Sequence, residues 1–241
     1  MKYFAPLVFC RKSSCHLCPV PIVCPGILFL LLSCMATLVA ADEPFRTAAS
    51  RRIDVHHIRL DIELDLPKKH LRGRATINFS PLPAFFETGR EPVIELDAHA
   101  LDVSAVRLAR DGGQATAVDF AVGDDELFIT APEGMVETGR KYFVEIDYSV
   151  TDPETGLHFF GPTKQAPNVP LMVWSQGEPQ ANHHWFPCID NSNERQSTEL
   201  NVRVSGGVEV LSNGKLISRR NSAQGHTTFH WKQEKEHVAY L

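Results

Sequence analysis

From His57 onward the chain alternates apolar and polar residues. In "HIRLDIELDL" Ile58, Leu60, Ile62 and Leu64 fall on one face, and Arg59, Asp61, Glu63 and Asp65 fall on the other, the mark of a half-buried antiparallel strand. Pro67-Lys68-Lys69 breaks the run, and "LRGRATINFS" resumes it with Leu71, Gly73, Ala75, Ile77 and Phe79, which predicts a hairpin. Further strands are expected at "PVIELDA", "VSAVRLA", "AVDFAV", "ELFITA", "KYFVEIDYSV", "LMVWSQ", "TELNVRVS", "EVLSNGKLIS" and "HTTFHWKQ". Asn213-Gly214 between two of these runs reads as a hairpin turn. No stretch after residue 50 carries a helical period with caps, so the pattern predicts an all-β, antiparallel β-sandwich rather than an α/β fold. Residues 151–170 interrupt it as a long irregular loop, a length often tied to function. The closing "EKEHVAYL" reads as the start of one more strand whose open edge invites pairing with another chain, as expected of the front part of something longer.

The first forty residues follow a different rule. Lys2, Arg11 and Lys12 precede an apolar run from Ile27 to Ala41 broken only by Ser33 and Thr37. That is a secretory signal pattern, with Val39 and Ala41 at the small-residue cleavage positions. The alternative is an uncleaved anchor over Pro19–Ala41, which would put the protein on a membrane. The expected organisation is therefore a leader over 1–41, a linker over 42–53 and a β domain over 54–241, exported to the periplasm, the cell surface or the medium.

The chain holds 24 Lys and Arg against 29 Asp and Glu, for a net charge of -5 without a long basic run. This argues against nucleic-acid binding. Five of its six cysteines sit in the leader and only Cys188 follows it, so the β domain is expected to be held by its core rather than by disulfides. The leader cysteines lack the paired Cys-x-x-Cys units of a zinc site.

One stretch is chemically dense: "WSQGEPQANHHWFPCID", Trp174 to Asp190. His183 and His184 are sequence neighbours, which on a strand would point to opposite faces and so make a poor zinc pair. Trp185, Phe186, Pro187 and Cys188 read as core and turn, and Asp190, Asn191 and Asn193 as turn residues bonding to the backbone. Glu194 and Arg195 read as a surface ion pair. On spacing alone, Gln176 and Glu178 are solvated loop residues.

Taken in order, "GLHFFGP", "WSQGEP", "HWFPCIDNSNERQSTELNVRV", "VLSNGKL" and "HVAYL" resemble the amino-terminal domain of zinc aminopeptidases of the aminopeptidase N type, over roughly residues 54 to 241. The resemblance implies a saddle-like all-β domain ahead of a thermolysin-like catalytic domain that carries zinc in the full-length family. It also implies that Gln176 and Glu178 lie on a loop that holds the free amino terminus of a peptide substrate. No His is followed by Glu and no Gly-x-Met-Glu-Asn occurs, so neither the family's zinc motif nor its exopeptidase motif is in this chain. No metal ligands or catalytic residues, and no cofactor, are assigned within it. Two functions follow as expectations. One is the amino-terminal domain of an exported zinc aminopeptidase, inactive without a catalytic zinc domain supplied in cis or in trans. The other is a stand-alone secreted β-sandwich module that binds or scaffolds without catalysis.

Overall fold

The computed structural model describes residues 50–87 and 92–241; the leader, with its signal or anchor reading and its cysteines, lies outside them. In chain order the strands are β1 (Ile53–Asp65), β2 (His70–Pro81), β3 (Val93–Asp97), β4 (Asp102–Arg110), β5 (Thr116–Ala117), β6 (Phe120–Val122), β7 (Glu126–Thr130), β8 (Tyr142–Thr151), β9 (Gly156–Phe160), β10 (Met172–Gln176), β11 (Gln196–Ser205), β12 (Lys215–Asn221) and β13 (His226–His237). Two short 3-10 turns, Pro83–Phe86 and Asn182–His184, are the only helical elements among the described residues. None is long and apolar enough to cross a membrane. The all-β expectation holds.

The strands form an eight-stranded sheet in the order β12-β13-β11-β1-β2-β8-β4-β5, a three-stranded sheet β3-β7-β6, and the hairpin β9-β10. Every pairing is antiparallel except one: β1 runs parallel to β11, from His57 beside Ser197 to Glu63 beside Arg203. A parallel neighbour needs a long crossover, and here the whole chain between β1 and β11 supplies it.

The alternation read from His57 begins earlier than expected. A bulge between Val55 and His57 in the β1–β2 ladder adds one residue, which resets the phase. Ile53 and Val55 therefore join Ile58, Leu60 and Ile62 in the core, all five at most 6% exposed. Across the sheet they meet Phe79, Ile77 and Ala75 of β2 and then Tyr142, Val144 and Ile146 of β8. Ile94, Leu96, Leu127 and Ile129 from the small sheet complete the same core. The outward face carries charges, with Arg74 and Arg107 both bonded to Asp147.

Three local readings change. Residues 151–170 are not wholly irregular: Gly156–Phe160 forms β9 and pairs with β10 from Gly156 beside Gln176 to Phe160 beside Met172. Only five residues long, this run was too short to show a period. Asn213-Gly214 does not close a hairpin, because residues 208–214 form no strand. Val208 and Val210 pack against the core instead, and β12 turns into β13 at Ser222–Gly225, where Gly225 N–H donates to Ser222 O. Finally, residues 238–241 form a turn in which Leu241 N–H donates to Val238 O at 3.3 Å, not a further strand. Val238 and Ala239 are buried there, and their apolar character reflects that burial rather than an open sheet edge.

Candidate functional site

β10 ends at Gln176, and the chain then turns sharply. Ala181 N–H donates to Gly177 O at 2.8 Å, so extended backbone stops at Gln176 and does not carry through to Glu178. Both Gln176 and Glu178 are exposed. Neither makes an ion pair or side-chain hydrogen bond among the described residues, which leaves the Glu178 carboxylate open to a cation from solution.

What fixes this loop lies beneath it. Gly177 is buried, and a Cβ there would stand 2.6 Å from Asn182 Nδ2, 2.8 Å from Asn182 Oδ1 and 2.8 Å from Tyr240 Cα. Glycine is needed because another residue's backbone approaches too closely for any side chain. Gly156 of β9, at φ +78, repeats the device, since its Cβ would overlap Ala181 O. Together the two glycines let the Asn182–His184 turn dock directly on β9 and on the loop after β10.

Asn182 is the hub, and sequence reading did not single it out. It is 5% exposed; its Nδ2 donates to Ala239 O and its Oδ1 accepts from Trp185 Nε1 at 2.9 Å. Its backbone N–H donates to Asp190 Oδ2 at 2.8 Å, and the same oxygen accepts from His183 N–H at 3.2 Å. Asp190 N–H in turn donates to Asp97 Oδ2 at 2.6 Å, and Asp97 and Cys188 exchange both backbone hydrogen bonds. The segment is thus stitched to β3 at one end and to the 238–241 turn at the other. The only cue in the sequence was a polar residue directly ahead of two histidines. Its burial depends on contacts more than fifty residues away.

Two readings of the dense stretch are corrected. His183 and His184 lie on a 3-10 turn, not on a strand, so their rings fall on the same side with centroids 4.5 Å apart. His99 joins them, 4.4 Å from His184 and 6.4 Å from His183. Glu194 is not on the surface: it is 1% exposed, accepts from Val55 N–H at 2.9 Å and pairs with Arg51 at 2.9 Å. Its partner is 143 residues away, and Arg195 is exposed. Burial pushes the Glu194 carboxyl up, while Arg51 and the Val55 N–H pull it partly back.

The remaining residues sit as read. Cys188 is fully buried, and burial raises its thiol well above the ordinary range, which makes it an inert core residue. Asp190 and Asn191 bond to nearby backbone N–H groups. Zinc, which the family resemblance implies, does not fit these residues. The chain has no His-Glu-x-x-His, and among the described residues no group of three His, Cys, Asp or Glu could hold a metal ion.

A groove of about 600 Å³ with both polar and apolar surface reaches the loop at Gln176 and Gly177. Its lining includes Ile58, Leu60 and Ile62 of β1 together with Trp174.

Comparison with known proteins places the fold. The family described as the peptidase M1 N-terminal domain matches residues 54–241. An M1 zinc metallopeptidase from Deinococcus radiodurans, solved as a mutant bound to a Tyr-Ser-Ala substrate, superposes with a TM-score of 0.63 at 19% identity. That match covers 81% of this chain and 42% of the other. Native leukotriene A4 hydrolase from Saccharomyces cerevisiae gives a TM-score of 0.62 at 18% identity, over 82% of this chain and 31% of the other. Among curated proteins, transcription initiation factor TFIID subunit 2 from Gallus gallus is 31% identical over 107 residues, 42% of this chain and 9% of the relative. Its Danio rerio counterpart is 30% identical over the same shares. The chain thus spans less than half the length of each of these proteins.

Proposed function

This chain belongs to the peptidase M1 N-terminal domain family, and from that premise we propose that it is the amino-terminal domain of an exported zinc aminopeptidase. Its part in catalysis is to hold the free amino terminus of a peptide on the Gln176–Glu178 loop. The observation that carries this reading is the exposed, unpaired carboxylate of Glu178 on a loop clamped from below by the Gly177–Asn182 contact. A peptide α-ammonium, which titrates at about 7.7 to 8, supplies the missing cation. A charge-assisted hydrogen bond of this kind contributes roughly 1.5 to 3 kcal/mol. A blocked amine or an internal peptide bond brings no such charge, so the loop selects chain ends. Gln176, with both donor and acceptor capacity, holds a backbone group of the same peptide. The clamp keeps the loop from rearranging when substrate arrives, which preserves that contribution.

Cleavage itself belongs to a thermolysin-like zinc domain in cis or in trans, where the metal supplies Lewis-acid and water-activating chemistry. The present chain alone is inert. Export rests on the apolar run from Ile27 to Ala41 behind Lys2, Arg11 and Lys12.

A second reading is a secreted module that binds or scaffolds without catalysis. It is favoured by the curated relatives whose names describe subunits of a transcription initiation factor rather than peptidases. The coding sequence beyond codon 241 separates the two. Gly-x-Met-Glu-Asn and His-Glu-x-x-His downstream support the peptidase; a stop codon with unrelated neighbours supports the module.

A further inference from the structure

The cluster of His99, His183 and His184 plays no part in holding an amino terminus, yet it is built with care. His99 Nδ1 lies 2.5 Å from Asp125 Oδ1, and His183 Nδ1 lies 3.0 Å from Asp190 Oδ2. His184 has a Nδ1 shut off from solvent with no protein partner. His99 N–H donates to His183 O at 3.0 Å, so the backbones are tied as well as the rings. Around the rings stand Asp125 ahead of β7, Asp97 at the end of β3, Asp190, and Glu154 ahead of β9, with Glu126 of β7 facing Asp97. Imidazole is the side chain whose charge ordinarily changes between about pH 5 and 8, and here three such rings are packed together.

We propose that this cluster is an acid-responsive latch on the Gln176–Glu178 loop. The same turn that carries His183 and His184 carries Asn182, whose amide packs on Gly177, and follows Ala181, whose N–H bonds Gly177 O. Whatever pries the turn from β3 therefore loosens the loop.

The two histidines of the turn are shifted in opposite directions. The hydrogen bond to Asp190, with help from Asp97 and Asp125, raises His183, whereas burial, with the neighbouring His183 and His99, lowers His184. His183 is charged first and stays held by Asp190. A later proton on His184 sits 4.5 Å from the charged His183, where like charges repel. The signs of the two contributions are opposite. Stability from the His183–Asp190 pair is complete below about 6.5 and declines as pH rises through the raised His183 value. Stability from neutral His184 is complete above about 6.5 and is lost as pH falls through its lowered value. The latch is firmest between the two and opens on the acid side.

Amide hydrogen exchange of the full chain, without any peptide, tests this. After correction for intrinsic rates, exchange at residues 177–186 should be about tenfold faster near pH 5 than near pH 6.5, with β1 and β2 unchanged. The α-ammonium range near 8 lies outside this window, and because burial raises the Asp97 carboxyl above its ordinary value, the histidine variants are what assign the response to the imidazoles. His184→Gln should remove most of the response, and His99→Gln, which leaves the buried turn intact, should reduce it. Equal protection at both pH values, or a response unchanged in both variants, would overturn the latch. Because no ligand is present, the outcome is independent of whether the loop binds an amino terminus.

Discussion

Glu194 and Gly177 mark what single residues reveal and conceal. Beside Arg195 in the sequence, Glu194 has every sign of a surface charge; in the fold it is buried against Arg51 and the Val55 N–H. Nothing local distinguishes the two cases, because the partners come from the start of β1. Glu194→Ala leaves a buried N–H and a guanidinium without their acceptor, and should cost about 2 to 4 kcal/mol in urea unfolding. Arg195→Ala should cost less than about 0.5 kcal/mol. Gly177 was legible only as one letter of the "QGEP" motif, yet the space around it makes it the hinge of the site. Gly177→Ala forces Asn182 or Tyr240 to shift and should destabilise the chain by about 1 to 3 kcal/mol. A change smaller than about 0.5 kcal/mol, read by the same unfolding curves, would mean that the clamp is soft. Glu178→Gln, by contrast, touches no partner among the described residues and should leave stability unaltered.

Strands with five or more alternating positions could be read directly: the faces of β1 and β2 came from period two alone, and Ile58, Leu60, Ile62, Leu71, Ala75, Ile77 and Phe79 are buried as expected. Elements whose existence depends on a partner could not. β9 is recognisable only because β10 lies beside it. The parallel β1–β11 pairing has no local signature, and the bulge near His56 hides behind a break in phase. Residues 208–214 carried an apolar pattern that the fold spends on packing rather than pairing. On the outer face, Arg74 and Arg107 reach Asp147 from β2 and β4, so one carboxylate joins three adjacent strands. The hydrogen bond from Arg74, then that from Arg107, lowers the Asp147 carboxyl below its ordinary value. A lowered acid adds stability that is present above its unfolded pKa of about 3.9 and lost as pH falls through the folded value. Because the group is partly solvated, Asp147→Asn should cost only about 1 kcal/mol at neutral pH. The difference from the unsubstituted chain should shrink as pH falls below about 3.9 and through the lowered folded value in acid-unfolding experiments. A gap that persists there would assign the loss to packing instead.

At the scale of the molecule, the family was legible because several short motifs recur in order, each fixing a place where backbone, turn and core meet. The proposed site was legible only in part: the family resemblance pointed to Gln176 and Glu178, while the support beneath them, Asn182 with its links to Trp185, Ala239 and Asp190, is a product of the fold. The resulting molecule is a β scaffold that presents the exposed Glu178 carboxylate on a loop whose Gln176 and Gly177 line a groove. Purified with zinc, it should cleave no aminoacyl chromogenic substrate above background. Its affinity for a peptide end should be weak, with a Kd of about 1 mM or higher, since one charge-assisted contact supplies less than the roughly 4 kcal/mol that millimolar binding needs. Nuclear magnetic resonance detects binding in that range and is the most direct test of the central claim. Titrating the isotope-labelled chain with a free-amino tripeptide should shift the amides of residues 176–180, an N-acetylated tripeptide should not, and Glu178→Gln should abolish the difference. Equal shifts with both peptides, no shift at this loop with either, or a free-amine response that survives Glu178→Gln would contradict it.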